Sequence, residues 1–300
     1  MIKEVGNDGR LVLYSFRGEE MFLREMDEPV IKLPYYGNQA RCFSFFKEII
    51  PRFISPGGFY VETNSGLNNN AFRFAKEFNY NVITNDLGYY SYSIARVVLD
   101  KDEDFLDHLD FAAKCASTID AKGFNPKEVD LSKYDYYRNH LMELRNMGVR
   151  SFATYNLDLF DLLEKLYKDG LVVDGVFMDF AWPWRDGSKT VEYETTVDGL
   201  STLFLGVERR FKAWDRTNVL ENVIKAVKAA QRVSRWVFLS NQSSNYPDPE
   251  TLEIELFDKG VPYVERYTML KFADEVDNLG KERYFREYLY VIEGEMKREK

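Results

Sequence analysis

Three segments of this chain carry polar groups directly after short apolar runs. They are Glu62-Thr63-Asn64-Ser65-Gly66-Leu67-Asn68, Asn85-Asp86, and Asp179-Phe180-Ala181-Trp182-Pro183-Trp184. A loop of small and amide residues lets backbone groups approach a ligand closely. An acid closing the next strand can accept two hydrogen bonds from a ribose diol, and open α/β sheets bind ligands outside the carboxyl ends of their strands. Each segment also has an ordinary structural reading. Asp86 and Asp179 are turn formers or helix caps, Gly66 permits a turn, and Trp182 and Trp184 are core aromatics.

The elements that must position these groups alternate between strand and helix patterns, which points to an α/β fold. Residues 41–53 carry Phe45, Phe46, Ile49 and Ile50 on one helical face. A strand at 59–62, a helix at 71–78, a strand at 81–84 and a helix at 90–99 follow. From 100 to 150 the chain turns polar and aromatic, with weak strand signals, and reads as an inserted, mainly helical subdomain. Residues 1–99 and 151–300 then form one domain around it. The pattern resumes with a strand at 152–155, a helix at 157–167 bearing Leu159, Leu162, Leu163 and Leu166, and a strand at 172–178. A helix at 217–231, a strand at 236–239 ending at Ser240-Asn241, and a last strand at 288–292 complete the series.

In this order the segments resemble the Dam-like adenine-N6 DNA methyltransferases, in the arrangement that places the target-recognition insert before the catalytic motif. The resemblance runs from about residue 32 to residue 292. Lys32-Leu33-Pro34-Tyr35-Tyr36-Gly37-Asn38-Gln39 stands where the family has a segment ending GGK. Glu62 to Asn68 is similar to its EPFxGxG cofactor loop, Asn85-Asp86 to its ND motif, and Asp179-Phe180-Ala181-Trp182 to its catalytic DPPY. Asn156-Leu157-Asp158 resembles an N-x-D segment, Ser240-Asn241 a later SN, and Arg286-Glu287 the opening of a closing strand. The likeness lies in order and spacing more than in any one motif. Gln39 replaces a lysine, Asn64 an aromatic, and Asn68 the second glycine, and both prolines of DPPY are missing.

The resemblance implies a Rossmann-like S-adenosylmethionine-dependent methyltransferase fold. It implies S-adenosylmethionine held by Tyr35, Gly37, Gln39, Glu62, Asn64, Gly66, Asp86, Asp158 and Asp179. It implies methyl transfer to the exocyclic amine of an adenine flipped out of DNA, in a setting such as restriction-modification. An exocyclic amine is a poor nucleophile because its lone pair is delocalised into the ring. In the family the Asp carboxylate and a backbone carbonyl accept from it, and the aromatic residue stacks on the base. Asp179, the carbonyl of Phe180 or Ala181, and Trp182 would take those parts, or Trp184 with a register change. Asn156 or Asp158 could equally be a helix cap. Arg138 and Arg145, among the tyrosines of the insert, would contact phosphates; a solvated basic face is the plain alternative. Arg185, Lys189, Arg209, Arg210 and Lys212 form a second basic group. Two further readings stay open. One is a non-catalytic Dam-like subunit or scaffold with a protein partner; the other is a methyltransferase for RNA or another amine.

Composition bounds these readings. Forty basic against forty-nine acidic residues leave a net charge of −9, which excludes an indiscriminate polyanion binder but not a local basic groove. Hydrophobic residues make up 45% of the 300, enough for a large core, and no apolar run approaches the roughly 20 residues of a membrane helix. Two cysteines and two histidines support neither a disulfide framework nor a zinc site, so no metal is expected. Cys42 and Cys115 read as buried thiols, and His108 and His140 as surface groups. With no basic-then-apolar start to the chain, a cytoplasmic location is expected.

Overall fold

In a computed structural model, the structure describes residues 2–5, 11–14, 20–23, 27–35, 42–100, 104–121, 128–183, 199–206, 213–276 and 282–295. Among the described residues, ten strands form one sheet. An antiparallel meander of β1 (Ile2–Val5), β2 (Leu11–Tyr14) and β3 (Glu20–Leu23) opens the chain. Helix α1 (Phe43–Ile49) and a 3-10 turn (Ile50–Arg52) lead to β4 (Phe59–Glu62), α2 (Asn69–Phe78), β5 (Asn81–Asn85) and α3 (Tyr89–Val98). Two helices, α4 (Phe105–Asp120) and α5 (Tyr134–Asn146), precede β6 (Ala153–Tyr155), α6 (Leu159–Lys168) and β7 (Val173–Met178). A helical stretch α7 (residues 199–205) precedes α8 (Val219–Gln231), β8 (Ser234–Gln242), α9 (Pro249–Asp258), β9 (Glu265–Val276) and β10 (Glu282–Glu293).

The strand order is β1-β2-β3-β9-β10-β8-β7-β4-β5-β6. Strands β4 to β8 run parallel, while β10 is antiparallel to both β8 and β9. The chain winds outward from β4 through β5 to β6, then returns to β7 on the other flank of β4. That reversal places a topological switch point between β4 and β7, with Glu62 and Asp179 at its carboxyl end. The α/β, Rossmann-like arrangement expected from the sequence is therefore present.

Helices cover both faces of the sheet, and the buried apolar residues form two clusters. One gathers Phe43, Phe45, Phe46, Phe72, Phe74 and Phe177; the other gathers Leu162, Leu163, Val176, Val223, Val227 and Val237. Every residue of β7 but the half-buried Asp174 is buried, which explains its apolar run, since a central parallel strand is covered on both faces. The helices of the insert contribute Leu109, Ala112, Cys115, Leu141 and Leu144 to the first cluster, so they share the core of the sheet. His108 is a correction to the surface reading. It is buried, its Nδ1 lies 3.1 Å from Ser93 Oγ, and Tyr89 and Tyr92 pack on its ring. Burial holds its pKa below the ordinary histidine value. His140 is half-buried and its Nε2 accepts from the Lys32 backbone N–H at 3.1 Å, which fixes the neutral ring with its proton on Nδ1. Both cysteines are buried thiols.

Candidate functional site

The loop after β4 is shaped by its own residues and stitched to the neighbouring strands. Thr63 N–H donates to the Phe177 carbonyl at 3.1 Å, and Ser65 N–H to the Asn85 carbonyl at 3.0 Å. Gly66 has φ +49°, and a Cβ there would sit 3.2 Å from the Tyr35 ring, so the position needs glycine for both conformation and space. Asn68 is left-handed, with φ 62°, a conformation that asparagine tolerates better than most side chains. This explains how Asn68 can stand where a second glycine is expected. Its Nδ2 donates to the Gly66 and Ser91 carbonyls at 3.1 and 3.0 Å, which fixes the turn. Asn69 then pins the segment before Tyr35: its Oδ1 accepts from Ile31 N–H at 2.7 Å and its Nδ2 donates to the Ile31 carbonyl at 3.3 Å.

Three carboxyl groups converge on this loop. Glu62, at the end of β4, is 3% exposed and accepts from the Ala71 N–H and the Asn70 side chain at the start of α2. Its Oε2 has no hydrogen-bond partner among the described residues, and the same holds for Asn68 Oδ1 and Asn70 Oδ1. Burial raises the Glu62 pKa to about 8, and the nearby Asp179 and Asp86 add to the rise. Asp86 accepts from Gly66 N–H and Gly88 N–H, both at 2.8 Å. Burial nonetheless raises its pKa to about 7, outweighing those two bonds and a third from the Ser91 side chain. Asp179, just past β7, is half-buried and close enough to Glu62 and Tyr60 to act on both electrostatically.

Two amides that the sequence singles out, Asn85 and Asn156, organise this site in a way the sequence does not show. Asn85 donates to the Thr63 and Leu157 carbonyls at 3.0 and 3.1 Å and accepts from Leu157 N–H at 3.0 Å, so it joins three strand ends. Asn156 Nδ2 donates to the Asp86 and Leu87 carbonyls at 2.7 and 2.9 Å. The signal available was an amide beside each acid; what it bonds to is fixed only by the sheet register.

Other expected residues are placed differently. Asp158 is exposed and caps α6, accepting from Phe160 N–H at 2.8 Å. Trp182 is 6% exposed, with Phe180 packed edge-on at 5.4 Å and its Nε1–H donating to the Ser240 carbonyl at 3.1 Å. In this arrangement its ring is a packing element and presents no open face to a base. Phe180 is buried too, against Trp214 at 4.8 Å. Arg145 corrects the phosphate reading. Its Nη1 donates to the carbonyls of Val97 and Asp100 at 3.1 and 3.0 Å, and its guanidinium lies 4.0 Å over the Phe105 ring. It caps the end of α3 and ties α5 to it. Arg138 stands beside Tyr134 and Asp110 on the helical insert. Asn64 Oδ1 accepts from Thr63 Oγ1 at 2.8 Å. Gly37, Gln39, Trp184, Arg185, Lys189, Arg209, Arg210 and Lys212 lie outside the described residues.

The missing prolines of the 179–182 segment have a structural substitute. Trp182 N–H donates to the Phe180 carbonyl at 2.8 Å, closing a three-residue turn, and Tyr246 N–H donates to the Pro183 carbonyl at 2.7 Å. With the indole anchored on Ser240, the segment is fixed from three sides.

No protein-family model and no curated protein sequence matches the chain. Solved structures do. The rRNA methyltransferase aviRa from Streptomyces viridochromogenes is 14% identical over 89% of this chain and 90% of its own, with a TM-score of 0.39. A SAM-dependent methyltransferase from Agrobacterium tumefaciens is 8% identical over 85% of this chain and 61% of its own, at 0.43. One from Leishmania major is 8% identical over 88% and 80%, at 0.40. The fold assignment rests on the strand order and on the reversed β10, an arrangement that is the Rossmann-like methyltransferase fold.

Proposed function

We propose that the chain binds S-adenosylmethionine at the carboxyl edge of β4, β5 and β7 and transfers its methyl group to the exocyclic amine of adenine in DNA. The observation that carries the cofactor half is the set of buried polar atoms around the β4 loop that have no hydrogen-bond partner among the described residues: Glu62 Oε2, Asn68 Oδ1 and Asn70 Oδ1. Buried acceptors left unpaired cost about 1–3 kcal/mol each. A cationic ligand rich in N–H and O–H groups supplies what they lack, so these residues fit the cofactor. Glu62 would hold its positive end. Asp86, whose carboxylate has about four acceptor sites and already accepts from Gly66 N–H, Gly88 N–H and the Ser91 side chain, would take a ribose hydroxyl at the site that remains. Tyr35 would cover the loop at Gly66. When bound, the cofactor supplies an electrophilic methyl group.

The chain's own part in transfer is to hold the amine. Asp179 accepts one of its hydrogens and a carbonyl of Phe180 or Ala181 the other, which favours a more tetrahedral nitrogen and places negative charge where positive charge develops. The choice of adenine in DNA rests on the resemblance of the motif order. Mass spectrometry of digested DNA and RNA after incubation with protein and cofactor tests it. N6-methyladenine in DNA, absent with Asp179→Ala, is the expected result; a methylated base in RNA alone would redirect the substrate.

One observation favours a second reading. Trp182 is packed and anchored, so a flipped base would have to stack elsewhere or displace it. A Dam-like subunit that binds cofactor without transferring methyl accommodates that packing. Cofactor binding with no methylation of either nucleic acid would favour it.

A further inference from the structure

Strand β7 stops at Met178, opposite Leu239, whereas β8 runs on to Gln242. The last residues of β8 thus have no β7 neighbour in the ladder, and buried backbone groups need a partner. The Trp182 indole provides one for the Ser240 carbonyl. On the other flank of β8 stands β10, where Glu287 pairs with Gln242. Glu287 is 0% exposed, its Oε1 accepts from Ser240 Oγ–H at 2.6 Å, and its Oε2 faces the Cys42 thiol at 3.9 Å. Ser240 is therefore gripped through its side chain from β10 and through its carbonyl by the segment that follows Asp179. Asn241 extends the grip: its Nδ2 donates to the Pro247 carbonyl at 3.3 Å, and its Oδ1 accepts from Asn245 Nδ2 at 3.1 Å. That loop in turn holds Pro183 through Tyr246 N–H.

We propose that Glu287 is a positioning residue for the Asp179 segment, acting through Ser240 and the Trp182 indole. An apolar side chain of similar volume would be less costly to bury than a carboxyl group. What the carboxyl adds is a fixed acceptor. It locks the Ser240 hydroxyl and stiffens the residue whose carbonyl anchors Trp182, three positions beyond Asp179. Where the resembling family sets the shape of this turn with two prolines, this chain sets it from outside, from two neighbouring strands and a loop. The inference deepens the proposed function, since it rests on Asp179 being the acid that holds the amine. The clamp itself can be measured without any substrate.

The test is hydrogen exchange of the Trp182 indole N–H by NMR, assigned with Trp182→Phe, in the parent chain and in Glu287→Ala, Ser240→Ala and Glu287→Gln. Exchange should quicken at least tenfold in the first two variants, while the amides of Val176 and Val237 in the central strands stay protected. Glu287→Gln keeps an acceptor for Ser240 Oγ–H and should remain within twofold of the parent. Where the parent transfers methyl, Glu287→Ala should lower kcat at least tenfold and leave the cofactor Kd within twofold. Indole exchange unchanged in both alanine variants overturns the proposal. So does equal loss of protection at the indole and in the central strands of Ser240→Ala, which would make the network a part of the core and nothing more. A parent with no transferase activity but with the predicted exchange pattern would reject the reaction and leave the clamp standing.

Discussion

Glu62 should make the unliganded protein less stable as pH rises. Burial raises its pKa from 4.5 to about 8, so the folded chain holds a proton there that the unfolded chain releases. A group whose folded pKa is raised contributes stability that is complete below its unfolded value and lost as pH climbs through the folded one. The window is therefore about pH 4.5 to 8. At about 1.4 kcal/mol for each tenfold change in proton affinity, the rise corresponds to roughly 4–5 kcal/mol. Local relaxation reduces such costs, which leaves about 2–4 kcal/mol. Glu62→Gln keeps an acceptor for Ala71 N–H and removes the titration. Urea unfolding of both proteins at pH 5 and pH 8.5 gives the comparison. The stability of the variant relative to the parent should improve by that amount between the two pH values. Parallel changes in parent and variant would refute the argument, because they would mean that Glu62 titrates as freely in the folded chain as in the unfolded one.

Four other outcomes follow from the same geometry. Binding of S-adenosylmethionine at pH 7 should release protons, seen as a dependence of the calorimetric heat on the buffer's ionisation enthalpy, and Glu62→Gln should remove most of that dependence. Gly66→Ala should cost about 1 kcal/mol or more in thermal or urea unfolding, since the residue is left-handed and faces the Tyr35 ring. Arg145→Ala should destabilise by about 1–3 kcal/mol through loss of its two carbonyl bonds, while leaving the salt dependence of any DNA binding unchanged. Arg138→Ala should do the reverse if the insert meets DNA, flattening the salt slope by about one with little change in stability.

Much of the parallel half of this fold is legible in the sequence. The expected strand at 59–62 coincides with β4 because its apolar run is bounded by Gly57-Gly58 and the polar loop. The helices α2, α3, α6 and α8 start within two residues of expectation, since each shows one apolar face. The meander β1–β3 and strand β9 were not legible. The first three are only four residues each, too short to show an alternating pattern; β9 carries five charged residues in twelve, and the pair β3–β9 joins strands far apart in the sequence. Helix α9 did have a local signal, Asp248 capping ahead of Pro249 at its first turn, which the apolar pattern alone passes over. At the site, the positions of Glu62, Asp86 and Asp179 at strand ends follow from the motif order. The burial of Trp182 does not, because it depends on β8 outrunning β7 and offering a carbonyl. Arg145 was misread for a similar reason. A basic residue near a helix end serves a phosphate or a carbonyl equally well, and only the packing of α5 on α3 decides.

The central claim is a cofactor site at the switch point, and one measurement reaches it directly. It is a calorimetric titration of S-adenosylmethionine into the parent chain and into Asp86→Ala, with circular dichroism to establish that both are folded. The account predicts one cofactor per parent chain and binding about 5- to 150-fold weaker in the variant, the equivalent of about 1–3 kcal/mol for a lost charge-assisted partner. No binding by the folded parent, or equal affinity in the two proteins, would contradict it.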